Sequence, residues 1–309
     1  MGETILCIAA AMIGAGFASG REIMQFFSLY GSFSWVLVIL AAGVTALMLR
    51  LMLARQRETL PAGRALLFLF SLAVGGGMTA AAGELWALTV PVRYARILGS
   101  VITLAACLCL AGGSLRSMAW LGRILLPLLL SVLVLCLRVP GASPKKSSIN
   151  IWEGILAMIN AVGYCGLNGM TAAGVLNSSW SRKEQTGISL AVGLLTALLL
   201  GLANAALLPH AETLSDAALP TVSLLRAYGK LGYYVSAAVL YLAASTTLIA
   251  VLRGLMTLSA HYIPRYRKSL VGLSVLTISL LGFEDIVGKA YPALGWAYLM
   301  LLGTVSRRI

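Results

Sequence analysis

Apolar runs of roughly 20 residues, the length that crosses a hydrocarbon core, recur along the whole chain and are closed by short breaks carrying Arg, Lys, Pro or Gly. The pattern predicts ten helical segments, over 4–27, 32–53, 65–90, 95–113, 118–138, 150–176, 186–208, 231–260, 269–283 and 287–304. No polar stretch between them is long enough for a separate soluble domain, so residues 1–309 read as one transmembrane domain. The stretch "RVPGASPKKSSIN" at 138–150 divides the ten segments into five and five. Five is odd, so the halves 4–138 and 150–305 face opposite ways, as an inverted repeat.

Two of these segments carry an unusual density of glycine. "IGAGFASGREIMQFF" opens the first half, and "NAVGYCGLNG", with Gly163, Gly166 and Gly169, stands at the corresponding place in the second. Transporters built as inverted repeats place their binding site where the first helix of each half is interrupted near the midplane. The expected architecture is therefore an all-α integral membrane protein with helices 1 and 6 interrupted. Freed N–H groups around Phe17, Ala18, Ser19 and Gly20 suit a carboxylate, and freed carbonyls around Ala10 and Ile13 suit a cation. The competing reading makes the glycines packing devices that let two helices approach, and Gly16-Phe-Ala-Ser-Gly20 fits that pattern literally.

Composition agrees with a membrane protein: 60% of residues are hydrophobic, 11% are charged and the mean hydropathy is +0.92. The segment after Met1 has no basic leader and no small-residue cleavage pattern, so it reads as a first span. A net charge of +13 raises nucleic acid as a partner, but the basic residues sit at span ends, where anionic lipid and topology account for them. With both termini in the cytoplasm, fourteen Lys and Arg residues lie inside and eight outside, which favours that orientation. Five cysteines in apolar stretches behave as small hydrophobes and make no zinc set. Enzyme signatures are missing: the two histidines stand near span ends, and there is no H-E-x-x-H, no G-x-S-x-G and no dinucleotide fingerprint. The expectation is a non-enzyme with no organic cofactor, acting on a small-molecule solute within the lipid bilayer.

The motif "IGAGFASGREIMQFF" resembles the amino-terminal signature of the YkvI-like membrane proteins, a bacterial group in the amino acid–polyamine–organocation superfamily with the LeuT-type five-plus-five fold. The resemblance implies a secondary transporter in a bacterial cytoplasmic membrane, moving an amino acid or a related amine or organic anion by alternating access, coupled to Na+ or H+. It also implies that Gly14-Ala15-Gly16 is the unwound turn receiving a substrate carboxylate, with 163–169 as its counterpart. In the eighth span it points to "LAASTT", where Ala243, Thr246 and Thr247 would complete a sodium site with Ala10 and Ile13. A solute-sensing receptor subunit that keeps this fold without transporting is the alternative.

Other side chains have open roles. Arg21 and Glu22 either pair with each other or serve an outer gate, in which Arg21 closes against Glu284 or Asp285. Glu84, an acid inside the third span, is either a proton relay or a tie to a neighbouring helix. Phe17 and Tyr164 are candidates to cap a bound solute, and Asn160 and Asn168 flank the second glycine cluster. The segment 209–232 is the long outer connection and a candidate lid.

Overall fold

The computed structural model describes residues 18–54, 61–112, 115–141, 150–174, 181–259 and 266–306. Described residues of the first span end in the short helix α1 (Arg21–Phe26), which a 3-10 turn (Ser28–Phe33) joins to α2 (Ser34–Ala54). There follow α3 (Pro61–Thr89), α4 (Ala95–Leu110), α5 (Leu115–Leu137), α6 (Ile151–Gly174) and α7 (Arg182–Leu207). After a connection containing the short helix Pro220–Leu224 come α8 (Gly229–Ser259), α9 (Arg267–Ser279) and α10 (Tyr291–Ser306).

Among the described residues, four segments are long and apolar enough to cross a bilayer: Ser28–Leu51, Ala65–Thr89, Arg182–His210 and Pro220–Ser259. The pair Lys268–Ser279 and Phe283–Met300 qualifies together but bends by 93° at its break. That break holds Gly282 at φ 87°, followed by a single π turn over Ile286–Ala290. The outward faces are apolar, as at Ile39, Leu194 and Leu273, each more than 60% exposed. Lipid is the solvent such faces require. Trp35, Tyr94, Trp152 and Tyr234 are exposed near helix starts, where aromatic side chains suit a membrane interface.

Packing separates the helices into two groups. α2 lies against α6 and α7, and the end of the first span joins them through α1. α3 lies against α4, α8 and α9. α5 bridges α7 and α8, while α10 bridges α6 and α3. Advancing every helix by five places maps most of this pattern onto itself, the packing of α5 on α7 being an exception: α2 with α7 and α3 with α8 exchange within their own pairs. Likewise α3 with α9 is matched by α8 with α4, and α5 with α8 by α10 with α3. This is the pairing that an inverted five-plus-five repeat requires.

The sixth span departs from expectation. α6 is one uninterrupted helix of 24 residues, running through Gly163, Gly166, Asn168 and Gly169. The reason is visible at Gly163, where an added Cβ would stand 2.8 Å from the Gly295 Cα. Here glycine lets α6 and α10 touch backbone to backbone, so it serves close packing and the helical hydrogen bonds remain intact. The first span does lose its helical course: Ala18 and Ser19 are helical, Gly20 is left-handed at φ 76°, and a new helix begins at Arg21.

Candidate functional site

Gly20 is required twice over. Its φ of 76° is disfavoured for residues with a side chain, and a Cβ there would meet Leu207 Cδ1 at 2.8 Å and Thr221 Cγ2 at 3.0 Å. The turn frees backbone groups that the helical ladder would otherwise consume. Thr221 Oγ1 donates to the Ala18 carbonyl at 2.7 Å, and the Arg21 N–H donates to Ser19 Oγ at 3.1 Å. Buried Ala18 therefore meets the 208–228 connection at the break.

From that turn Arg21 reaches across the same connection. Its Nη1 donates to the carbonyls of Ser215 at 2.5 Å and Ala217 at 3.2 Å, and lies 3.9 Å from Glu284 Oε1. Asp285 instead pairs with Lys289 at 2.7 Å. Arg21 thus ties three pieces of chain together: the broken first span, the 208–228 connection and the approach to α10. The connection is itself fastened at both ends, by His210 Nε2 lying 3.4 Å from the Val139 carbonyl and by Tyr228 donating to the Leu135 carbonyl at 3.0 Å.

Glu22 turns the other way, into the protein. It is 5% exposed and accepts a hydrogen bond from the Tyr164 hydroxyl of α6. Tyr164 stacks on Phe26, with centroids 4.7 Å apart, and lies 6.3 Å from the ring of Tyr291. Tyr291 in turn tilts against Phe70 of α3 at 5.6 Å. Four rings thereby run from α1 through α6 and α10 to α3, from one helix group to the other. The Tyr291 hydroxyl is buried and has no hydrogen-bond partner among the described residues.

The remaining residues singled out in the sequence fall as follows. Ala10, Ile13, Gly14, Ala15, Gly16 and Phe17 lie outside the described residues, as does the side chain of Asn168. Asn160 accepts from Trp296 Nε1 at 2.8 Å, tying α6 to α10. Ala243 is fully buried in α8, Thr246 Oγ1 donates at 2.9 Å to the Ala243 carbonyl, and Thr247 is 8% exposed. Glu84 pairs with Arg96 at 3.0 Å, joining α3 to α4. Among the described residues no group of three or more His, Cys, Asp and Glu side chains converges as a metal site.

Sequence reasoning passed over several participants. Tyr291 follows an acidic cluster and precedes Pro292 at the head of α10, a place that marks a helix start and gives no sign of a buried hydroxyl. Thr221, Ser215 and Ala217 act through one hydroxyl and two carbonyls in a connection whose course no periodicity fixes. Asn204 of α7 accepts from Ser28 Oγ at 3.0 Å and donates to Ser34 Oγ at 2.9 Å, fully buried at the junction of the first two spans.

The arrangement is that of a polytopic helical membrane protein with the fold of a transporter. Two solved structures share it: the manganese transporter of Eremococcus coleocola bound to an aromatic bis-isothiourea compound, and a single-residue variant of that transporter. TM-scores are 0.52 and 0.51 at 14% and 15% identity, over 94% of this chain and 74% of each neighbour. In sequence the chain is similar to the uncharacterized protein YyaD of Bacillus subtilis, 25% identical over 331 residues spanning 96% of this chain and 94% of that protein. No protein-family model matches.

Proposed function

We propose that the chain is a secondary transporter of the amino acid–polyamine–organocation kind, YkvI-like in its opening motif, carrying an amino acid or a related small amine or organic anion. The observation that carries this reading is the break at Gly20. It stands where the first span meets the 208–228 connection, and it is held there by bonds from Thr221 and Arg21 that can be exchanged for water without unwinding any long helix. Such contacts suit a gate, because each contributes only about 1 kcal/mol net. The group of α1, α2, α6 and α7 rocks against the group of α3, α4, α8 and α9, with the aromatic column between them. The Arg21 contacts close the side that the positive-inside rule assigns to the exterior of a bacterial cytoplasmic membrane, leaving both termini in the cytoplasm.

The carboxylate of an amino acid would meet the freed N–H groups of the first span. Coupling is to Na+ or H+, with Ala243, Thr246 and Thr247 as the α8 contribution to a sodium site. The cargo named for the structural neighbour, manganese, is a separate arm of the test. Counterflow in proteoliposomes decides: labelled amino acids exchanging across vesicles loaded with the same compound support the carrier. Binding without exchange supports a solute-sensing receptor, and Mn2+ flux without amino-acid exchange moves the cargo to a metal ion.

A further inference from the structure

Glu22 is a carboxyl group within a membrane span, 5% exposed, and its described neighbours do not supply a compensating charge. Its sequence neighbour Arg21 is engaged with Ser215, Ala217 and Glu284. The elements packed on α1 are the 3-10 turn Ser28–Phe33, α6, α7 and the π turn Ile286–Ala290. Among the described side chains, their titratable or charged groups are Tyr30, then Tyr164 and Glu153 of α6, then Lys289, and Arg182, Lys183 and Glu184 at the far end of α7. Lys289 is 80% exposed and already paired with Asp285. Among the described residues, Glu22 faces the Tyr164 hydroxyl, and the Tyr291 hydroxyl, which has no hydrogen-bond partner among them, lies in the same aromatic column. Among the described residues Glu22 has no cation in ion-pair range.

An ionised carboxylate so placed would cost several kcal/mol, whereas the neutral acid costs no more than an ordinary buried polar group. One hydrogen bond from a tyrosine does not make up that difference. Glu22 also lies two residues from the hinge at Gly20, so its surroundings change whenever the Arg21 contacts open. A group that must be neutral when enclosed and ionises readily when wetted binds and releases a proton once per opening and closing.

We infer that Glu22, held by Tyr164 and adjoining Tyr291, is the proton-carrying residue of the transport cycle, so that the coupling ion is H+. The inference rests on the carrier reading above. In the enclosed state the carboxyl bears one proton while accepting the Tyr164 hydrogen bond. When the first span moves and water enters, the proton leaves to that compartment, and the next proton is taken from the other side. One proton crosses per cycle with no bond made or broken other than O–H and no electron transferred.

Proteoliposomes carrying the wild type, Glu22→Gln or Tyr164→Phe provide the test, with the substrate found by counterflow and an imposed pH gradient of either direction. The wild type is expected to accumulate substrate only when the gradient points inward. Glu22→Gln, which mimics the protonated acid, is expected to retain counterflow and lose gradient-driven accumulation to the level of empty vesicles. Tyr164→Phe is expected to shift the pH profile of uptake while keeping exchange. Accumulation by the wild type that ignores the pH gradient overturns the inference. So does accumulation by Glu22→Gln, and so does loss of its counterflow in a protein that still unfolds cooperatively, which would make Glu22 a substrate ligand. If the wild type exchanges nothing, it is the carrier reading that fails. The proton is then read directly by infrared spectroscopy, as a carboxylic-acid carbonyl band at neutral pH present in the wild type and missing from Glu22→Gln. A wild type lacking that band refutes the proton on Glu22 independently.

Discussion

At the scale of single residues, the break in the first span depends on an atom that Gly20 lacks. A Cβ meets Leu207 and Thr221, and the left-handed backbone adds its own cost, so Gly20→Ala is expected to lose about 2 kcal/mol. Thermal unfolding in detergent checks it: the midpoint should fall by several degrees, while Gly254→Ala, whose Cβ meets nothing within 4 Å, should leave it unchanged or raise it slightly. Asn204 offers a second residue-scale prediction. Replacing it with Leu strands the hydroxyls of Ser28 and Ser34 in a buried site, and the expected loss is about 1–2 kcal/mol on the same measurement. Arg21 differs from both, because its bonds go to a connection and not to a helix core. Arg21→Ala should change the unfolding midpoint little and accelerate amide hydrogen exchange across 211–219, the stretch it holds.

At the scale of elements, the two glycine clusters share a composition and take different structures. In α6 the glycine at 163 is consumed by contact with Gly295, so Gly163→Leu should push α6 from α10 and destabilise by more than Gly20→Ala. A matching unfolding experiment would show the sixth helix to be freer than described if that substitution were neutral. Helix existence was legible along most of the chain because apolar periodicity and length decide it: the eighth segment, read as 231–260, is Gly229–Ser259. Helix interruption was not legible, because glycine permits both an unwound turn and a backbone contact. Which one occurs depends on what stands opposite, and Gly295 lies 132 positions away in the chain. The contacts of Arg21 were half legible. An arginine beside a glycine cluster and acids near the tenth span predicted the Arg21–Glu284 approach, yet the shorter bonds go to backbone carbonyls that no residue type announces.

At the scale of the whole molecule, the packing makes two bodies that α5 and α10 bridge, with a column of four rings and a strap of connection between them. The internal exchange symmetry maps each body onto itself, every helix of the first half having its counterpart from the second half in the same body, and in the proposed carrier this would supply two arrangements of similar energy instead of one. In the proposed carrier such a fold moves by changing the contacts between bodies, and Gly20 is where the first span would absorb the backbone change. The central claim is that the side closed by Arg21 opens in this manner. Spin labels at Leu29→Cys, beside α2, and Tyr94→Cys, beside α4, straddle that opening at exposed positions, in a protein whose native cysteines are replaced. Pulsed electron–electron distance measurements in lipid vesicles should give two populations, the longer one enriched by Arg21→Ala. One distance, identical with and without Arg21, would contradict the account.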